Sequence, residues 1–326
     1  MPASPAHDRA AALDDLRCAA ALQDLCDALL APLRPTAAQL DAARARADHV
    51  GGFLLQDNFC AAYLIGGSVA KDTALRPIKD VDLFVILDED VWTSTQGQLY
   101  QPKTILGKFD ARLHQRYGPM VDAGDAAIVR LRRAVSVQFR KDTTVNVDVV
   151  PVLRRTRGML QVLDRWEGSW QDTHPERQTR LLDQHDTARA PLRDALRLLK
   201  LWRRANDVAL PSYALEVLAL QARADGAPPR SAAIFEAVLR TIATTRLEQV
   251  VNLKNHPTTD LGAVTILDPA VAGANVTREL SRADRADVVR AAKQALVYWE
   301  EMVPIVARDS IWGLKGRVRA LFGVAL

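Results

Sequence analysis

Three aspartates and a Gly-Ser pair have the types and spacing for chemistry. Gly66-Gly67-Ser68 follows a short apolar run, Asp80-Val81-Asp82 opens a second, and Asp148 lies among valines in VNVDVVPV. On a β-strand, positions i and i+2 share a face with Cα atoms ~7 Å apart, so Asp80 and Asp82 are expected to project together. Carboxylates gathered on a buried sheet face repel one another and lose hydration, a cost that a bound cation offsets. An all-oxygen donor set suits Mg²⁺ or Mn²⁺. Two such ions can activate an attacking hydroxyl and neutralise a leaving pyrophosphate. Gly67 and Ser68, at a strand-to-helix turn, would offer backbone N–H groups and a hydroxyl to a polyphosphate. Taken singly, these pieces also fit a plain turn, a solvated strand end and a hydrogen-bonded structural aspartate. Their order, a GS turn, a DxD pair opening an apolar strand and a later strand Asp, points to phosphoryl transfer.

The elements that must position these residues are legible in outline. Leu13, Leu16, Leu22 and Leu25 recur at helical intervals, Pro32 and Pro35 interrupt them, and Thr36 is placed to cap a second helix. Ala62–Ile65 and Val81–Leu87 read as short strands around the Gly-Gly-Ser turn and a short helix. Residues 104–117 are expected to be helical. Val135, Val137 and Phe139 alternate, and Val145 to Val152 is β-branched with Pro151 near its end. Lys141-Asp142 is the expected turn of that antiparallel pair. From about residue 160 the pattern reads as helical throughout, with helices over 191–206, 211–223, 231–249 and 280–303 and a polar, turn-rich connection over 251–279. The expected fold is α+β and bilobal: N-terminal helices over 1–58 packing on both lobes, a mixed-sheet core over 59–160, and a helical lobe over 161–326.

On the 191–206 helix, Arg193, Arg197, Lys200 and Arg204 share a face beside an apolar face marked by Leu192, Leu196 and Leu199. Such a stripe either is solvated or holds polyphosphate; with the acidic motif upstream, Lys200 is the member expected to bind phosphate. Tyr213, at a helix start, is either a core aromatic or a platform for a base. Trp166, Trp170 and Trp202 are expected to pack in the core or between lobes.

Composition removes several classes. With 326 residues, 43 Lys+Arg against 39 Asp+Glu and a net charge of +4, the chain can build its own core and lacks the dense basic excess of an obvious nucleic-acid binder. Cys18, Cys26 and Cys60 form no CxxC, and the six histidines show no HxxxH or HExxH spacing, so a zinc site and histidine- or cysteine-based nucleophilic catalysis lack support. The N-terminal stretch has acids where a signal peptide needs an apolar region, and no apolar run approaches ~18 residues. A cytoplasmic protein without membrane contact is expected.

GGSVAKDTALRPIKDVDLFVIL resembles the signature of the DNA polymerase β-like nucleotidyltransferases. LRLLKLWRRAN, LPSYALEVLAL and ILDPAVAGANV resemble three blocks found in the same order in oligoadenylate synthetases and their bacterial relatives, and WQDTHPERQTRLLDQHD resembles a stretch of the bacterial members. Over about residues 60–300 the chain is similar to the bacterial CD-NTases, the cyclic oligonucleotide synthases of CBASS anti-phage defence. The resemblance implies that Asp80, Asp82 and Asp148 bind two Mg²⁺ or Mn²⁺ ions and that Gly67 and Ser68 hold phosphate. It further implies that Lys200 contacts the triphosphate, Ser212 assists the phosphates and Tyr213 stacks on a base. Two NTPs would bind in the cleft between lobes and be joined into a cyclic di- or oligonucleotide, which a downstream effector, not this chain, would bind. No His-Cys-Cys-Cys cluster is present, so activation by DNA is not expected, while the C-terminal LFGVAL offers a place for a regulatory protein to dock. Two other readings remain open. One is a tRNA-directed transferase like the archaeal-type CCA-adding enzymes, although the chain is expected to stop where the helical lobe does, without an RNA-gripping tail. The other is a catalytically idle binding module, against which the retention of all three carboxylates counts.

Overall fold

The computed structural model describes residues 5–140, 145–155, 158–186, 190–306 and 311–324. The chain forms two compact units, Leu33–Arg180 and Met1–Pro32 with Leu181–Leu326. Composition alone puts the divisions at 58 and 160; in the structure the first helix, α1 (Pro5–Leu30), belongs with the later helices and α2 (Ala37–Leu54) with the sheet.

The sheet unit contains α2, β1 (Ala62–Ile65), α3 (Gly67–Ala70), β2 (Asp80–Ile86), α4 (Pro102–Asp122), β3 (Ala126–Arg130), β4 (Val135–Phe139), β5 (Asn146–Arg154), β6 (Leu160–Asp164) and β7 (Ser169–Thr173). The strand order is β1-β2-β5-β4-β3, with β6 on the far half of β5 and β7 on β6. Among the described strands of this sheet only β2 and β5 run parallel, in a register that sets Asp80 beside Asn146 and Asp82 beside Asp148. The sheet is therefore mixed, as expected.

Alternation along the strands gives the sheet two unlike faces. Val81, Leu83 and Val85 of β2, Val147 and Val149 of β5, and Val135, Val137 and Phe139 of β4 join one core with Ala43, Val50 and Leu54 of α2 and Ile105, Phe109 and Leu113 of α4. Trp92 stacks on Phe109 at 5.2 Å between ring centres, and Phe59 meets both edge-on at 5.0 and 4.9 Å. The other face changes character along its length. Ile86, Val150, Val152 and Leu160 form a second, smaller cluster at one end, and the aspartates occupy the other. Thr36 caps α2 as expected: its hydroxyl accepts from the Gln39 N–H at 3.3 Å, and the Gln39 side chain accepts from the Thr36 N–H at 3.0 Å.

Strand β3 forms where the sequence pattern assigns no element, and β6 and β7 form where, beyond about residue 160, it reads as helical. Four of the five β7 residues are half-buried and the fifth exposed, so this edge strand lacks the apolar alternation that marks a strand in sequence; pairing with β6 creates it. The expected turn at Lys141-Asp142 lies outside the described residues, but β4 and β5 are antiparallel as anticipated. Trp166 is not core: it is 70% exposed, with the Arg132 guanidinium 5.0 Å from its ring centre.

The second unit is helical: α1, the end of α5 (Pro175–His185), α6 (Pro191–Ala205), α7 (Ser212–Ala224), α8 (Ser231–Thr245), α9 (Arg282–Val306) and α10 (Ile311–Phe322). Helix α6 buries Leu192, Leu196, Leu199 and Trp202, and Phe235 of α8 packs on Trp299 and Phe322 at 5.1 and 5.3 Å. Helix α8 ends at Thr245, short of the expected 249, because Arg246 and Leu247 adopt left-handed φ values of 55° and 52°. No helix among the described residues is long and apolar enough to cross a membrane.

The aromatic trio is the test of the main core. Phe109→Ala, at a site with no exposure, is expected to lower unfolding stability by about 3–5 kcal/mol, read as a fall in the urea midpoint.

Candidate active site

Strand β1 delivers the chain to a turn fastened directly onto β2: the Gly66 N–H donates to the Asp82 carbonyl at 2.9 Å. Two glycines are required there. A Cβ at Gly66 would lie 2.2 Å from the Phe84 ring, and one at Gly67, whose φ is +61°, would lie 1.7 Å from Asp82 Oδ2. Only glycine lets this backbone approach the carboxylate so closely. Ser68 follows on α3, where its carbonyl accepts from the Thr73 N–H at 2.9 Å. Gly67, Ser68, Asp80, Asp82 and Asp148 all belong to the sheet unit, and the three aspartates occupy alternate, register-matched positions of one face.

Asp80 is exposed, while Asp82 and Asp148 are half-buried. Burial raises the pKa of Asp148, a hydrogen bond from the Ser136 hydroxyl opposes that rise, and the Asp80 charge adds to it. None of these three influences is cationic. Asp164, at the end of β6, makes the contrast. Its side chain is wholly buried, and burial alone would raise its pKa, yet hydrogen bonds from Arg132 and from the Glu167 and Trp166 N–H groups bring it to about 2. One buried acid thus carries a built-in counter-charge. The Asp148 site, with two more acids on the same face, has the donor chemistry of a site completed by an added cation, and hard oxygen donors fit a divalent one.

Lys200, Ser212 and Tyr213 belong to the helical unit. Of the expected basic stripe, Arg193 pairs with Asp183 at 2.5 Å and Asp186 at 3.0 Å, and Arg197 is buried against Asp194 at 2.8 Å. These arginines are structural: Asp186 also accepts the Leu192 N–H and so caps α6. Half-buried Lys200 and exposed Arg204 continue the face. The Ser212 hydroxyl accepts from Arg203 Nη1 at 2.8 Å, linking α6 to the start of α7. Tyr213 is half-buried, and its hydroxyl donates to Asp268 Oδ1 at 2.6 Å. Asp268, 4% exposed, accepts the Ala270 N–H at 2.7 Å with the same oxygen. The phenol of Tyr213 is therefore pinned at its hydroxyl end.

Sequence reasoning missed Ser136, Arg203 and Asp268. The signals were faint: a small polar residue inside an alternating strand (AVSVQF), and an Asp-Pro in a block whose resemblance had been noted without a role for the acid.

A GS turn seated on a DxD strand, with a third aspartate in register on the parallel neighbour, defines a nucleotidyltransferase of the DNA polymerase β-like fold. Residues 22–185 match the SMODS domain, and the chain belongs to this family of Second Messenger Oligonucleotide or Dinucleotide Synthetases. It is 28% identical over 237 residues to the CBASS oligonucleotide cyclase CdnC of Escherichia coli (strain KTE188), covering 70% of this chain and 73% of that protein. E. coli MS115-1 CdnC, solved in a complex with HORMA-deltaN, superposes with a TM-score of 0.70 at 20% identity over 89% of this chain and 93% of that one. Bradyrhizobium diazoefficiens CdnG, solved with GTP, gives 0.68 at 14% identity over 93% and 95%. The family match selects the second-messenger synthetases over the tRNA-directed transferases.

Two measurements test the site. Gly67→Ala should keep the fold but lower nucleotidyl transfer by at least ~100-fold, because displacing Asp82 or the turn by even ~1 Å removes near-attack geometry; synthesis rates and circular dichroism read this. For Asp148, a raised native pKa means that the folded chain binds the proton more readily than the unfolded one, so stability falls as pH rises through that raised range. In chelator, Asp148→Asn is therefore expected to melt above the wild type at neutral pH. The gap should close as pH falls through the Asp148 titration, as read by Tm against pH.

Proposed function

We propose that the chain joins nucleoside triphosphates into a cyclic di- or oligonucleotide second messenger in anti-phage signalling. The single observation supporting it most is the register that sets Asp82 beside Asp148 with the Gly67 backbone packed on Asp82. Asp80, Asp82 and Asp148 would hold two Mg²⁺ or Mn²⁺ ions. When bound, such ions stabilise charge on the reacting phosphate and on the leaving pyrophosphate. Asp148 polarises the acceptor 2′- or 3′-hydroxyl; burial raises its proton affinity, which suits a proton acceptor. The hydroxyl oxygen bonds to the α-phosphorus of a second nucleotide, the bond to the β-phosphate breaks, and pyrophosphate departs; a further attack of the same kind closes the ring. The N–H groups of the Gly67-Ser68 turn and the Ser68 hydroxyl orient the triphosphate. In the helical unit, Lys200 and Ser212 are assigned to nucleotide phosphates. Tyr213, with its hydroxyl engaged by Asp268, presents its ring to a base.

The CdnC–HORMA-deltaN complex supports a regulatory protein partner, and the GTP-bound CdnG supports NTP substrates. The remaining assignments are a cytoplasmic location, an effector that binds the product, and no activation by DNA.

Incubation with all four NTPs and Mg²⁺ or Mn²⁺, followed by mass spectrometry, should yield small cyclic products. The Asp80→Ala/Asp82→Ala double variant should lose at least ~1,000-fold in rate, the several kcal/mol that metal-ion charge stabilisation supplies, with its circular dichroism unchanged. Persistent product from that variant would overturn the mechanism.

A further inference from the structure

The acid-bearing face of the sheet carries one small polar side chain where a central strand ordinarily has a β-branched one. Ser136 is the second residue of β4, paired on one side with Asp148 of β5 and on the other with Val129 of β3. It is 2% exposed, and its neighbours Val135 and Val137 belong to the main core. Serine is depleted at such positions in favour of residues that fill the pleated surface, and a buried hydroxyl without a partner is costly. The Ser136 hydroxyl has a partner: it donates to the Asp148 carboxylate.

The geometry points to Ser136 as a positioning residue for nucleotidyl transfer, its O–H holding the Asp148 carboxylate in one orientation. The inference rests on the role proposed above for Asp148. Ser136 suits this task because its backbone is paired on both sides, so the donor sits on the rigid middle of the sheet rather than on a loop. A hydroxyl supplies a single proton to one carboxylate oxygen and leaves the remaining lone pairs available. Asp148 needs such a restraint, since Asp82 stands directly beside it in the register; without a donor, repulsion favours a rotamer turned away from that neighbour. The two central carboxylates are then each set by a different device, Asp82 by the close Gly67 backbone and Asp148 by the Ser136 hydroxyl. Ser136 itself is too deeply buried to touch a nucleotide.

Three substitutions test this. Ser136→Ala removes the donor, while Ser136→Thr and Ser136→Val have nearly the same shape and differ in whether the hydroxyl is present. In Ser136→Ala, kcat should fall about tenfold, or about 1.4 kcal/mol, with KM for ATP within about twofold of wild type. Mn²⁺ binding to the nucleotide-free protein, followed by electron paramagnetic resonance of the free ion, should weaken by a similar factor of about ten, because loss of outer-shell partners commonly costs that much. The melting temperature should stay close to wild type. Ser136→Thr should exceed Ser136→Val by about tenfold in both kcat and Mn²⁺ affinity, a ratio that isolates the hydroxyl from any shared packing cost. Equal Thr and Val variants, or an Ala variant within about twofold of wild type in both readouts, would overturn the inference. Asp148→Asn separates the two levels: an inactive Asp148→Asn beside a normal Ser136→Ala removes only the positioning role, whereas an active Asp148→Asn removes the reading on which it rests.

Discussion

Asp82 and Asp148 sit side by side on parallel strands, and like charges so placed oppose the fold that holds them. Much of the sheet unit can be understood as the means of enforcing that contact. The opposite face of the same strands is continuously apolar and covered by α2 and α4, so the strands cannot slip to relieve the repulsion: a one-residue shift would turn the valines outward and the acids into the core. The second apolar cluster anchors the far end of the acid-bearing face. The charged end can then remain open without loosening the strands beneath it.

Several charges elsewhere are paired within the chain. Arg132 and Arg133 meet buried Asp164, Arg193 meets Asp183 and Asp186, and Arg197 meets Asp194. The most buried of them, Arg197 with Asp194, contributes little net stability but is costly to break, so that arginine is committed to architecture. The nearly balanced overall charge conceals this allocation.

Features encoded within a few residues were legible in the sequence. The Thr36–Gln39 capping box, the i, i+2 spacing of Asp80 and Asp82, and the glycines before Ser68 are local patterns whose physical meaning does not depend on the rest of the fold. The cross-strand features were not legible. Ser136 acquires meaning only once β4 is set beside β5, Tyr213 is separated from Asp268 by a helix pair and a long connection, and β7 is a strand only because β6 pairs with it. Arg193 and Arg197 show the reverse error: helical spacing grouped them with Lys200, while their carboxylate partners could be found only in three dimensions.

The parallel pairing of β2 with β5 also bears on how the protein comes into being. Between the two strands lie α4, β3 and β4, so their contact closes a long loop and cannot form early, when local helices and hairpins do. During synthesis the Asp80–Asp82 strand emerges well before its partner. A nascent chain therefore carries the carboxylates separated, and the three-aspartate arrangement exists only when long-range pairing is complete. The order of the strands thus makes the site one of the last local features of the sheet unit to be completed.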